Sequence, residues 1–129
     1  MSLEDPDALR VLRDAIAQDG LVHRFYTHWF ALDTSVRDLF AADMAGQRAA
    51  FAQALRWVYG ELVERRAEEP VAFLAQLGRD HRKYGVTAPH YATLRRALHD
   101  TLRDHLGETW TGPVAEAARQ SLNLITGVM

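Results

Sequence analysis

His81 stands where a core residue belongs. Leu74, Leu77 and His81 are spaced three and four apart, so they share one face of a helix. Gly85 follows as a natural left-handed stop just past the last turn. In an ordinary helical domain an imidazole ending an apolar stripe is a core histidine bonded to a carbonyl. Tyr26 is placed comparably, between Val22 and Phe30 on an apolar helix face, and a buried phenol needs a partner or a ligand for its hydroxyl. Phe40 ends a short turn where a solvent-facing residue is expected, and Phe51 and Leu55 supply bulky apolar surface one turn apart. One imidazole, one phenol and large apolar groups are what a buried planar iron cofactor needs. The imidazole binds iron from one side. The phenol donates a hydrogen bond to a polar ligand on the other, and the apolar wall excludes water. No Cys-x-x-Cys-His motif exists, so any haem is held noncovalently. From spacing alone, His81 and Tyr26 are equally readable as core residues.

The other five histidines suggest less. His23 and His28 are five apart, nothing matches His-Glu-x-x-His, and a zinc site needs three or four converging ligands. His23, His28, His99 and His105 read as surface or half-buried residues. His90 falls in the first turn of its helix and reads as a local hydrogen-bonding residue. The net charge is −2 and arginines are interleaved with acids, which argues against a nucleic-acid partner. Cysteine is absent, excluding disulfide scaffolds and thiolate metal sites. The N-terminus MSLEDPDALR is acidic and lacks the regions of a signal peptide. No apolar run approaches the roughly 20 residues that span a bilayer. The expectation is a cytoplasmic chain with no membrane partner.

The elements that must position these residues are helical nearly throughout. Asp5-Pro6 reads as an N-cap with Pro at the first helical position, opening a helix with Leu9, Leu12 and Ile16 on one side. Asp19-Gly20 reads as its end. A second helix carries Val22, Phe25, Tyr26, Trp29 and Phe30. Asp33-Thr34-Ser35 caps a short turn ending at Leu39-Phe40. A long helix is expected over 45–67, with Phe51, Leu55, Val58 and Leu62. Another is expected over 71–83, with Phe73, Leu74, Leu77 and His81. Thr87-Ala88-Pro89 opens the next, with Tyr91, Leu94, Leu98 and Leu102. Thr111-Gly112-Pro113 opens the last, with Val114, Ala118, Leu122, Ile125 and Met129. No segment alternates at period two for long. The expectation is one all-α domain over residues 1–129, with six or seven helices.

FYTHWF at 25–30, VRDLF at 36–40, LGRDHRKYGVTAPHY at 77–91, ALRRALHDTLRDHLGETWT at 92–110 and the closing LNLITGVM together carry a family pattern. The chain resembles bacterial single-domain globins and the globin domain of flavohaemoglobins. The resemblance implies a globin fold around one haem b pocket. It makes His81 the proximal iron ligand and Tyr26 the distal tyrosine that hydrogen-bonds dioxygen. Phe40 matches the phenylalanine packed on the haem, Leu55 the apolar distal residue and Tyr91 a proximal-side tyrosine. Val86 and Leu94 are expected at the haem edge, where plain core packing is an equal reading. Phe51 falls where many flavohaemoglobins carry glutamine.

The sequence departs from that pattern in several places. Phe51 removes the amide donor, and Gln53 should point off the haem face although Gln47 is also nearby, so Tyr26 is expected to hold dioxygen alone. Asp80 stands where relatives have lysine, and Ala118 and Leu122 stand where larger aromatics occur. The end at Gly127-Val128-Met129 falls before an acidic residue that in relatives bonds the proximal tyrosine and histidine. It reads as a domain cut from a longer chain, with a less imidazolate-like histidine. The activity implied is binding of dioxygen, nitric oxide or carbon monoxide, and nitric oxide dioxygenation if a flavin reductase supplies electrons. The competing readings are a haem-based gas sensor or electron-transfer module, and a helical interaction domain without cofactor.

Overall fold

A computed structural model describes residues 5–129; the first four residues of the acidic N-terminal segment lie outside the described residues. The order is α1 (Pro6–Ile16), α2 (Leu21–Leu32), a 3₁₀ helix (Thr34–Leu39), α3 (Ala45–Val63), α4 (Glu68–Lys83), α5 (Ala88–Leu106), a 3₁₀ turn (Gly107–Thr109) and α6 (Gly112–Val128). Among the described residues there is no strand, and no helix is long and apolar enough to cross a membrane.

Local chemistry explains the starts and stops. Asp5 accepts the Ala8 amide at 3.0 Å and Pro6 takes the first helical position, where a missing N–H costs nothing. The 3₁₀ helix starts on Asp33, whose carboxylate accepts from the Ser35 amide and hydroxyl. Gly20 belongs to the start of α2 and not to the end of α1: α1 stops at Ile16, and Gly20 turns the chain into α2 with φ +83°. Helix α3 ends at Val63, four residues before the expected stop. There the amide of Arg65 bonds to Leu62 O and that of Arg66 to Glu61 O, a Schellman closure with Arg65 left-handed at φ +60°. No glycine marks that stop, so periodicity alone runs past it. Helix α4 begins at Glu68, three residues early, because Pro70 sits within the first turn, where amides have no intrahelical acceptor.

Helix α1 packs on α3, α5 and α6, α2 lies along α5, and α4 rests on α6. Leu9, Leu12, Phe25, Val58, Tyr59, Leu98 and Leu102 fill the centre, each almost wholly removed from water. Burial of such side chains is worth roughly 1.5–3 kcal/mol apiece. Phe73 is the most open residue of its stripe, 38% exposed, with its ring meeting that of Trp57 edge-on at 5.5 Å. Helices α3 and α4 do not pack closely along each other, and the space between them is a cavity.

Candidate functional site

The cavity is made of two adjoining chambers that share part of their lining. An inner chamber of about 300 Å³ lies between α3 and α4 over α5 and α6, and an outer one of about 240 Å³ reaches the 3₁₀ helix and the α4–α5 turn. Gln47, Phe51, His81 and Leu94 line both. Such a space is on the scale of cofactor sites, roughly 300–1,000 Å³.

The turn HRKYGV places two of the lining residues. The Gly85 amide bonds to Arg82 O and the Val86 amide to His81 O, while Gly85 takes φ +88°. This is a second Schellman closure, the kind that brings the residue after the glycine back against the last helical turn. It returns Val86 to the cavity wall beside His81. Thr87 then caps α5, and its own amide donates to His90 Nδ1 at 2.9 Å. His90 is thus the local hydrogen-bonding residue expected, with Nδ1 as the acceptor.

His81 is half-buried in the last turn of α4. Its Nδ1 lies 3.3 Å from the hydroxyl of Tyr91, and among the described residues its Nε2 has no hydrogen-bond partner. Burial lowers its pKa, only partly opposed by the charge of Asp80. The neutral imidazole is therefore favoured, the form that ligates a metal. Burial likewise raises the Tyr91 phenol, and the Arg82 charge opposes it.

Tyr26 enters the outer chamber from α2 inside an aromatic box. The rings of Phe25, Trp29, Phe30, Phe40 and Phe51 lie 4.9–6.2 Å from its own. Burial pushes its pKa up to about 12, against a hydrogen bond from Gln47 and the charge of Arg48. Gln47 Nε2 donates to Tyr26 Oη at 3.2 Å. An amide donor therefore reaches the phenol itself from the first turn of α3, one turn before Phe51. Gln53 is exposed, as expected.

The structure thus brings Tyr26, Phe40, Phe51, Leu55, His81, Val86, Tyr91 and Leu94 to one cavity, Leu55 to its inner part alone. Two further residues have roles that spacing does not reveal, although Gln47 is expected nearby. Gln47 is one, because its role depends on how α3 crosses α2. The other is Arg37, whose guanidinium donates to the carbonyls of Phe40, Ala41 and Ala42 at 3.0–3.2 Å and lies 5.4 Å from the Phe30 ring. It pins the segment that carries Phe40. Among the described residues no group of three or more His, Asp or Glu side chains could hold a metal ion.

The helices and the cavity define an all-α protein with two half-buried imidazoles on an apolar, helix-walled chamber, of which His90 is engaged by the Thr87 amide and His81 is not. The Globin family model matches residues 23–129, from α2 to the end of α6. The chain belongs to the globin family and has the all-α globin fold. Globins typically bind haem, and diatomic gases such as dioxygen with it. No curated protein matches the chain. The donor set fits the family's cofactor: the His81 imidazole, whose Nε2 has no hydrogen-bond partner among the described residues, stands within aromatic and aliphatic walls.

Proposed function

We propose that the chain binds haem b noncovalently with His81 as the iron's protein ligand, and takes dioxygen or another diatomic gas beside Tyr26. The observation that supports this best is the pairing of two polar groups in one apolar cavity. His81 enters from α4 with Nδ1 held at Tyr91, and Tyr26 enters from α2 with its oxygen held by Gln47. When bound, haem supplies an iron that changes oxidation state and takes small ligands. The protein does the rest. With Nδ1–H donating to Tyr91 Oη, the Nε2 lone pair is left for the metal and the ring is fixed in orientation. Because Gln47 donates to Tyr26 Oη, the phenolic proton remains free to donate into the cavity. A preorganised donor of this kind stabilises a ligand that carries partial negative charge. Phe40, Phe51, Leu55, Val86 and Leu94 keep water from the ring faces and edges.

The finer lineage is part of the same reading. The motifs at 25–30, 36–40 and 77–91 favour a bacterial, flavohaemoglobin-like globin domain, and a cytoplasmic setting is part of the proposal. With a flavin reductase as electron donor, nitric oxide dioxygenation is the activity this lineage suggests. The deciding measurement is the visible spectrum with haemin added, ferric and then dithionite-reduced, before and after carbon monoxide. A Soret band that shifts at each step is expected. No Soret band with haemin in excess would leave a cofactor-free helical protein.

A further inference from the structure

We infer that the contact of α6 with α4 at Met129 is part of the mounting of His81, with Gly78 and Arg82 as positioning residues. The two lie on α4 three residues before and one after the histidine. A β-carbon built on Gly78 would lie 2.7 Å from the Cα of Met129 and 2.8 Å from its carbonyl carbon. Both are backbone atoms, so no rotamer change makes room. Glycine inside a helix is otherwise a liability, and close backbone approach explains it here. Arg82 Nη1 then donates to the Met129 carbonyl at 2.9 Å, and Met129 lines the inner chamber with Leu74, Leu77 and His81.

The last two turns of α4 are thus fastened to α6 on both sides of the histidine. The turn that follows is closed by the Tyr84, Gly85 and Val86 amides on carbonyls of the last turn of α4, within its own segment. The distance of the imidazole from the cavity is therefore set by how closely α6 approaches α4 at Met129. This rests on the reading of His81 as the iron ligand. It adds that the strength of the iron–histidine bond is governed from residue 129, an effect that simple packing would not have.

The test compares Gly78→Ala, Arg82→Met and Arg82→Lys, with Gly127→Ala as control, since a β-carbon there meets nothing within 4 Å. Two quantities are read: the iron–histidine stretching band of the ferrous haem-loaded protein, and amide hydrogen exchange of α4 without haem. Gly78→Ala should shift the band and speed exchange over residues 74–83 by about tenfold or more. Arg82→Met should move both in the same direction by less, and Arg82→Lys should restore them. If Gly78→Ala does not fold, the Arg82 pair decides. An unmoved band in haem-loaded Gly78→Ala and Arg82→Met would overturn the mounting. So would a shift in Arg82→Met that vanishes in a Tyr91→Phe background, because the Arg82 charge also reaches that phenol. Wild-type protein that takes no haem would overturn the reading of His81, whereas unchanged α4 exchange would overturn the fastening itself.

Discussion

Gln47 holds the hydroxyl of Tyr26 from across the α2–α3 crossing, its Nε2 donating to Oη at 3.2 Å. The bond fixes which way the phenol can donate. A charge-assisted hydrogen bond is worth about 1.5–3 kcal/mol, so Tyr26→Phe should speed dioxygen release about ten- to a hundredfold while haem stays bound. Gln47→Leu removes only the orienting bond, a neutral one worth about 0.5–1.5 kcal/mol, and should speed release a few fold. Flash photolysis or stopped-flow displacement measures both. Equal release rates in Tyr26→Phe and wild type would make the phenol a packing residue.

His81 and Tyr91 give a second contrast. His81→Ala should abolish tight haem binding while far-UV circular dichroism stays close to wild type, because the imidazole is only half-buried. Tyr91→Phe should retain haem, since it removes one partner at 3.3 Å and no ligand. Its effect should appear as faster haem loss to apomyoglobin, on the order of tenfold or less for a bond worth about 1 kcal/mol. Haem uptake by His81→Ala with an unaltered spectrum would place the iron ligand elsewhere.

Much of this site is legible in the sequence, and what is not has a physical reason. His81, Tyr26 and the apolar residues around them break or fill helical stripes, and a stripe depends only on positions along one helix. The turn at Gly85 is legible because left-handed backbone favours glycine. The same turn at Arg65 is not, because an arginine occupies it, and α3 therefore ends earlier than its pattern suggests. Phe73 lines the inner chamber with Leu74, Leu77 and His81 as its stripe suggests, but spacing does not record that it is left partly exposed against Trp57. Gln47 and Arg37 are polar residues in ordinary polar positions. Their partners lie across a helix crossing or on main-chain carbonyls, which no spacing records.

Two buried phenols make the protein sensitive to alkali. Tyr59 donates to or accepts from Ser121 Oγ at 2.7 Å, linking α3 to α6, and burial pushes its pKa up to about 12. Tyr26 is raised to about 12 as well. A phenol whose folded pKa exceeds its ordinary 10.0 contributes stability that is fully present below pH 10 and is lost as pH climbs toward 12. Denaturant midpoints should therefore fall steadily from about pH 10 upward. Tyr59→Phe should flatten part of that fall, at a neutral-pH cost of about 0.5–1.5 kcal/mol for one neutral hydrogen bond, since the Ser121 hydroxyl keeps the Ala118 carbonyl as its acceptor. A midpoint independent of pH across this window would show that the phenol ionises without penalty.

Arg37 offers the sharpest test of how the outer chamber is held open. Its guanidinium gathers three successive carbonyls, those of Phe40, Ala41 and Ala42, in a segment with no helix of its own. That segment carries Phe40, whose ring sits 5.7 Å from Tyr26 and 5.8 Å from Trp29. Arg37→Met keeps most of the side chain's apolar stem while removing every donor. The loss should be about 1–3 kcal/mol, since bonds to a charged donor are among the stronger ones but this group is only half-buried. Haem should be lost faster than from wild type, because Phe40 then has no fixed backbone beneath it. Arg37→Lys should recover little, since one ammonium cannot span three carbonyls with the geometry of a planar fork. Full recovery in Arg37→Lys would mean that charge near Phe30, and not the carbonyl clamp, is what the position supplies.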